Sequence, residues 1–271
     1  MSHEPSRLFP ALLKHWRGRR GLSQLDLALA ADVSARHVSF LETGRAQPSR
    51  EMILRLAAAL DVPLRDQNAM LQAVGLPEAW SSASDQAITP PIERAILRML
   101  EKHEPYPMVV LNRRYDLLRA NHGATRLLGR FLAEPAALPQ PMNLCRALFD
   151  PRLARPYVVE WERVARILLS RLHRESLADP GDAELARLVE ALLGYPDVPE
   201  AWRQPDFSLP SEPTLSLRIR RDGLDLAFLT TVTTFNAPQN IALEELRIES
   251  YFPLDETTTR ACERLAREAL P

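Results

Sequence analysis

The feature that most constrains this sequence is a short turn between two apolar-patterned segments within residues 23–42. Ser23 and Ser34 stand where helix N-caps are expected, because a serine oxygen can accept a hydrogen bond from a free amide of the first turn. Between the two segments there is room only for a tight turn, and Val33 offers an apolar contact that holds the crossing. The pattern predicts two short helices joined by a turn, the second over residues 35–41.

The second of these helices has a buried side and an outward side. Its spacing predicts that Val38 and Leu41 are buried. The residues that point away are the ones able to enter a major groove: Ala35, Arg36, Ser39 and Phe40. Two positions stay open for the Phe40 ring, which can lie on thymine methyl groups or turn inward as core.

Charge is unevenly distributed between the two ends of the chain. The apolar spacing predicts five helices between Arg7 and Val74. The first 75 residues hold ten Arg and Lys against seven Asp and Glu, although the whole chain has a net charge of -1. A mildly basic head on an acidic body favours a nucleic-acid-binding module attached to a domain of another kind.

Length and composition limit the remaining classes. The 271 residues suffice for two domains, and no apolar run approaches the roughly 20 residues of a membrane span. The polar first residues lack the apolar core of a signal peptide, so we predict a cytoplasmic protein without membrane contact. Cys145 and Cys262 are far apart with no metal-ligand spacing, which predicts buried thiols, no metal and no cofactor.

The second half of the sequence alternates helices and strands. A polar run at Ser81–Asp85 predicts a linker over residues 77–90, between a domain at 1–76 and a domain at 91–271. Residues 108–112 and 115–121 are expected to form a hairpin, and a helix is expected to end near Gly129. Further strands are predicted at 214–220, 224–234 and 246–252, with an Asp-Gly turn at 222–223, and helices at 158–174 and 183–193. The predicted fold class is α+β with several domains.

The first domain resembles the XRE-type family of lambda-repressor-like helix-turn-helix domains. The matching stretch runs from Arg20-Gly21-Leu22-Ser23-Gln24 through Val33-Ser34 and Leu41-Glu42-Thr43-Gly44-Arg45 to Pro48-Ser49 and Leu56-Ala57. The resemblance implies DNA contacts from Gln24, Ser34, Ala35, Arg36, Ser39, Phe40, Arg45 and Ser49. Arg36 suits base reading best, because its guanidinium can bond guanine O6 and N7 together. Glu42 is expected to pair with a nearby arginine or amide and hold the loop.

The second domain resembles PAS-type sensors, and within them the ligand-binding domain of MmyB-like regulators. The resemblance rests on Trp161-Glu162-Arg163-Val164-Ala165, Arg171-Leu172-His173-Arg174-Glu175 and Leu243-Glu244-Glu245-Leu246-Arg247. Where relatives have Gly-Thr-Pro-Gln-Asp, residues 236–240 read Asn-Ala-Pro-Gln-Asn. The family implies a PAS-like α/β sensor with a pocket for a small apolar, fatty-acid-like molecule. Its expected lining is Trp161, Val164, Ile167, Leu168, Leu217, Phe228 and Val232, which equally suit an ordinary core.

These patterns predict a regulator that binds a double-stranded DNA operator as a homodimer and senses a small apolar ligand. The alternative is a second domain that serves only as a dimerisation or interaction platform. An enzyme is not expected, because the sequence lacks a Gly-rich phosphate loop, a G-x-S-x-G turn and an H-E-x-x-H helix. Arg152, Arg163 and Arg171 are conceivable anchors for a carboxylate head group.

Overall fold

The chain divides into two compact units. The computed structural model describes residues 8–80, 88–134, 137, 140–178, 182–204, 215–235 and 240–268. The first unit comprises Met1–Thr89 and Phe235–Glu244, and the second comprises Pro90–Thr234 and Glu245–Pro271.

Five helices in residues 8–80 build most of the first unit, as the sequence predicts. They are α1 (Leu8–Arg19), α2 (Gln24–Ala30), α3 (Ala35–Glu42), α4 (Arg50–Ala59) and α5 (Leu64–Gln72). Ser23 forms a capping box with Asp26, and Ser34 caps α3 by accepting from the His37 amide at 3.1 Å. Between α2 and α3 the backbone turns at Asp32, which has a φ of 51°.

The core of the first unit lies between all five helices. Side chains of α1, α2 and α4, among them Leu13, Leu27 and Leu56, are fully buried. Val38 and Leu41 of α3 are also fully buried, which confirms the predicted inner side of that helix. Burial of these aliphatic side chains, worth roughly 1.5–3 kcal/mol each, fixes which side of α3 remains outside.

A five-stranded antiparallel sheet organises the second unit. Its strands are β1 (Met108–Leu111), β2 (Leu117–Ala120), β3 (Leu215–Arg221), β4 (Leu224–Thr233) and β5 (Arg247–Pro253). They lie in the order β2-β1-β5-β4-β3, so β5, the last strand in sequence, lies at the centre between β1 and β4. Val110 pairs with Ile248, and Leu217 pairs with Phe228. The Asp-Gly turn between β3 and β4 is formed with positive φ at both residues, as predicted. This sheet with its helices confirms the PAS-like α+β prediction.

The helices of the second unit precede, interrupt and follow the sheet. They are α6 (Pro90–Lys102), α7 (His122–Phe131), α8 (Leu144–Phe149), α9 (Trp161–Ala178), α10 (Ala183–Leu193) and, after the short α11 (Ile241–Glu244) of the first unit, α12 (Glu256–Leu265). The sequence did not predict α8 or α12. The structure begins α9 three residues later than predicted, because Val158 is bridged to Ile219 of β3. Within the described part of the chain, no helix combines the length and apolarity needed to cross a membrane.

Two segments lie in the first unit although the sequence placed them elsewhere. Trp80, predicted as linker, donates its amide to the Asn68 side chain at 3.1 Å and its indole nitrogen to Gln67 at 2.8 Å. Glu244 of α11, predicted in the second domain, accepts from the Leu64 amide at the start of α5. These hydrogen bonds, which join residues 12 to 180 positions apart, therefore hold Trp80 and Glu244 in the first unit.

Candidate nucleic-acid interface and ligand cavity

A buried ion pair holds α1, α2 and α3 together beside the outward face of α3. The Glu42 carboxylate accepts from Arg17 at 2.6 and 3.0 Å and from the Gln24 amide at 2.8 Å. Burial acts to raise the pKa of Glu42, but the bonds from Arg17 and Gln24 outweigh it and leave the pKa below its ordinary value. The expected pairing of Glu42 is confirmed. Gln24 is hydrogen-bonded within the protein, so its predicted DNA contact would be made from that position.

The outward face of α3 carries the predicted base-contacting residues. Arg36 is exposed in the first turn, and its guanidinium lies 5.1 Å from the centre of the Phe40 ring. Phe40 is half-buried but is not among the side chains that pack on the core of the first unit. Of the two positions open to Phe40, the structure has the outward one. Ala35 touches the edge of the core, and Ser39 is half-buried.

The other predicted contacts flank α3. Ser34 and Ser49 are both N-caps, and the Ser49 oxygen accepts from the Met52 amide at 3.2 Å. Each hydroxyl hydrogen remains able to donate to a phosphate, because capping uses only the oxygen as acceptor. Arg45 is exposed after the end of α3, where its backbone amide donates to the Phe40 carbonyl at 2.8 Å.

A cavity of about 130 Å³ lies within the second unit, and most of its wall is apolar. It is bounded by α7, α8, α9 and the inner face of the sheet. The apolar wall is formed chiefly by Leu127, Phe131, Leu148, Val158, Val164, Leu168, Leu215, Leu217 and Ile219. Helix α8, which the sequence does not predict, and α9, which begins three residues later than predicted, thus supply much of the wall.

Three of the seven predicted lining residues face this cavity, namely Val164, Leu168 and Leu217. The other four predicted side chains lie elsewhere. Trp161 donates its indole nitrogen to the Leu148 carbonyl at 2.8 Å, and Ile167 is half-buried beside the stripe of α9 that faces inward. Phe228 is fully buried in the packed core. Val232, near the end of β4, is 40% exposed.

Donor groups without protein partners mark a polar side of the cavity. Tyr115, in the turn between β1 and β2, is 5% exposed, yet its hydroxyl has no hydrogen-bond partner among the described residues. Its ring packs under the Arg247 guanidinium at 4.8 Å, which fixes its direction. Arg171 of α9 also lines the cavity, and its side chain forms no hydrogen bond or ion pair with the residues that the structure describes. A buried donor left unpaired costs roughly 1–3 kcal/mol, so the Tyr115 hydroxyl suits a ligand acceptor, and the half-buried Arg171 guanidinium offers further donors beside the cavity.

Glu249 and Tyr251, two neighbours on β5, complete the polar side of the cavity. Glu249 of β5 lines the cavity and accepts a hydrogen bond from the Tyr251 hydroxyl. Burial raises the pKa of Glu249, although Arg171 opposes the shift. Cys145 of α8 lies alongside, fully buried, and burial raises its thiol pKa well above the ordinary value. The prediction of buried thiols is confirmed for Cys145 and Cys262, and burial raises the pKa of the Cys262 thiol to about 11.

Sequence reasoning found the aliphatic wall better than the polar side. The sequence indicates Arg171 as one of three conceivable anchors, and no pattern in it points to Tyr115 or Glu249. Tyr115 was placed inside a strand, but it has a φ of 65° and its side chain turns into the cavity. No signal short of the three-dimensional fold brings these residues together. The described residues also contain no group of three or more His, Cys, Asp or Glu that could hold a metal ion.

The fold and the two sites define a helix-turn-helix protein with a PAS-like domain that contains a largely apolar cavity. The family description "MmyB-like transcription regulator ligand binding domain" matches residues 92–265, and "Helix-turn-helix" matches residues 13–67. The first match covers well over half of the chain. The chain therefore belongs to the MmyB-like transcription regulators, with a DNA-binding helix-turn-helix module and a ligand-binding domain.

Other comparisons add little. A solved structure described as "Structure of an RNA-binding Light-Oxygen-Voltage Receptor" is similar at 15% identity, with a TM-score of 0.28 over 94% of this chain. The chain spans 57% of the length of that receptor. No curated protein matches the chain.

Proposed function

We propose that the chain is a sequence-specific DNA-binding regulator that acts in the cytoplasm as a homodimer, and that its second unit binds a small, mostly apolar molecule. The observation that carries the proposal is the cavity of the second unit. Its apolar wall, the unpaired Tyr115 hydroxyl and the Arg171 guanidinium suit a ligand with an apolar body and a polar head. The partner of the first unit is a double-stranded DNA operator.

Two arginines support DNA binding by the first unit, one on α3 and one in the segment that follows it. Arg36 projects from the first turn of α3, where a guanidinium can form a bidentate pair with guanine. Arg45 follows the helix, where contacts to phosphates are expected. Arg36→Ala should weaken operator binding by about 1–3 kcal/mol and flatten the preference at one base pair.

Arg45→Ala is the matched comparison. It should weaken specific and random DNA alike and lower the salt dependence of binding. Titration of both variants on operator and random duplexes separates the roles, and an equal loss on both duplexes for Arg36→Ala would contradict the base-reading assignment.

Homodimerisation follows from the small number of base pairs that one α3 can read. Two modules related by a two-fold axis contact half-sites about 10 base pairs apart, or a multiple of that distance, on one face of the duplex. Footprinting checks this spacing. Protection of one short site by a monomer would count against the homodimer.

The size of the cavity limits the ligand. At about 130 Å³ the cavity is comparable with engineered apolar cavities of roughly 150 Å³ that bind benzene. A compact or short-chain molecule therefore fits as the walls stand, and a longer fatty-acid-like chain requires the walls to part.

The polar side favours a carboxylate head. Arg171 and the Tyr115 hydroxyl both offer donors, and a charge-assisted bond to a carboxylate is about twice as strong as a neutral one. Because burial raises the pKa of Glu249, its repulsion of an anionic head is reduced. A short fatty-acid-like molecule satisfies the donors and the apolar wall together.

Mass spectra of the natively purified and the denatured protein test for a ligand directly. Thermal unfolding with hexanoate, decanoate, myristate and the matching alcohols then tests its class. At a hundred times its Kd an acid should stabilise the second unit by about 2.7 kcal/mol, a Tm rise of roughly 5–10 °C. At the same concentration the matching alcohols should raise the Tm less, because they are expected to bind more weakly.

Variants locate the binding site. Arg171→Met should remove the advantage of acids over alcohols. Arg163→Met is the control, since Arg163 lies on the same helix but donates to the Ser216 carbonyl at the surface.

The alternative function, a dimerisation platform without ligand, predicts the opposite results. No compound would raise the Tm, and Leu217→Trp, which should fill a true cavity, would instead unfold the unit as overpacking of a solid core does. That combination would reject the sensor and retain the DNA-binding regulator.

A further inference from the structure

Arg36 and Phe40 form one stacked unit on the outward face of α3. They are four residues apart on a helix, so their side chains lie one above the other. The Arg36 guanidinium lies 5.1 Å from the centre of the Phe40 ring, within the range of a cation–π contact. Among the described residues this ring is the only partner of the Arg36 side chain.

The backbone under Phe40 is held in place. The Phe40 carbonyl accepts from the amides of Arg45 at 2.8 Å and Ala46 at 3.3 Å, and from the Thr43 hydroxyl at 3.3 Å. The ring is half-buried, yet Val38 and Leu41 complete the core without it. Phe40 therefore forms a fixed apolar floor beside a charged group that remains free to bond.

The two groups have complementary partners in a major groove. A guanidinium recognises guanine through O6 and N7, and an aromatic ring makes apolar contact with the C5-methyl group of thymine. Successive bases are about 3.4 Å apart along a strand, so a guanidinium and a ring 5.1 Å apart can reach neighbouring base pairs.

We infer that Arg36 and Phe40 together read a thymine next to a guanine in the operator, with Phe40 as the residue that selects the methyl group. This rests on the proposed function, in which α3 enters the major groove. Phe40 also restrains Arg36, because stacking removes rotamers that the free side chain would lose on binding.

The first test changes only the DNA. Operators are selected from random duplexes with the wild-type protein, and the thymine beside the Arg36-dependent guanine is replaced by uracil, which removes one methyl group. Wild-type affinity should fall about fourfold, the value of one buried methyl-sized group. Folding of the protein cannot affect this comparison, since the protein is unaltered.

The second test changes the protein. Phe40→Ala should bind thymine and uracil operators equally and should discriminate less at the guanine. Arg36→Ala should lose roughly 5- to 150-fold at the guanine. Glu51→Gln is the control, because Glu51 lies on α4 in an exposed pair with Arg55 and belongs to none of the predicted DNA contacts, and it should keep the thymine preference in full.

Three results overturn the inference. One is a selected operator in which no thymine adjoins the guanine that depends on Arg36. Another is equal wild-type affinity for thymine and uracil. The third is a Phe40→Ala protein, with unchanged Tm, that retains the full thymine preference. In all three the wild type still selects DNA, whereas failure of the proposed function would leave it with no sequence preference.

Discussion

At the scale of single residues, the direction of a carboxyl pKa shift depends on whether partners that stabilise the charge outweigh its burial. Glu42 has a side chain only 4% exposed and meets Arg17 and Gln24, whereas Glu249 meets a tyrosine hydroxyl and a more distant arginine. Partners that stabilise the ionised form outweigh burial in the first case, and burial prevails in the second. The two carboxylates therefore shift in opposite directions.

Glu42→Gln should destabilise the first unit by about 2 kcal/mol at pH 7, the usual value of a hydrogen bond to a charged group. The pKa of Glu42 is lowered in the folded protein, so its contribution is present above its ordinary pKa of 4.5 and is lost as pH falls through the lowered value. Thermal unfolding between pH 7 and pH 3 should show the difference from wild type shrinking in acid. Glu51→Gln, which changes an exposed pair with Arg55, should have nearly the same Tm as the wild type at any pH.

Glu249→Gln should have the opposite pH dependence. A raised pKa means that the wild type is stabilised below the ordinary value of 4.5 and loses that contribution as pH rises through the folded pKa. The variant should match the wild type near pH 4 and have the higher Tm at pH 8. A variant that is less stable at pH 8 would show that ionised Glu249 is better compensated than its burial implies.

At the scale of elements, most of the described helices begin where a side chain satisfies the first amides. Serines cap α2, α3 and α4, and asparagine or aspartate residues cap α7, α8, α10 and α12. Helix α5 follows Pro63, which offers no side-chain cap. Glu244, 180 positions later, supplies the acceptor instead, at 3.0 and 3.2 Å from the Leu64 amide.

Glu244→Ala should therefore lower the stability of the first unit by about 1 kcal/mol, as loss of an N-cap does. Hydrogen exchange at the Leu64 amide should accelerate with it. Glu244→Gln keeps an acceptor oxygen and should retain most of the protection. Unchanged exchange at Leu64 in the alanine variant would argue against the cap.

The start of α7 depends on a close backbone approach at Gly123. A Cβ atom there would lie 2.5 Å from the Pro105 carbonyl oxygen and 2.9 Å from that of Tyr106. Gly123→Ala should cost about 1–3 kcal/mol despite the better helix propensity of alanine, because backbone must move. Gly18→Ala in α1, where a Cβ meets nothing within 4 Å, should stabilise its helix slightly. Chemical denaturation of the two variants gives the comparison.

At the scale of the whole molecule, a ligand-responsive regulator requires that ligand binding change the affinity for DNA. If a ligand of the second unit changes operator affinity by some factor, operator must change ligand affinity by the same factor. We expect a factor of roughly 5 to 150, measured by titrating DNA with and without saturating decanoate, and decanoate with and without operator. Unequal factors would indicate that decanoate acts at more than one site.

The sequence alone determined the helix-turn-helix, the capping serines and the inner side of α3, because these depend on neighbours within a few residues. It also indicated the strands through apolar alternation and the Asp-Gly turn. Its prediction that Glu42 would find a partner was confirmed by contacts at sequence distances of 18 and 25 residues.

Only the tertiary structure decided the cavity and the membership of distant segments. Tyr115, Arg171 and Glu249 come from a turn, a helix and a strand, and they meet because β5 lies between β1 and β4. Val232 continues the alternation of β4 yet is 40% exposed. A cavity is a space that packing leaves unfilled, so its lining depends on which non-local surfaces come into contact, and local periodicity carries no information about that.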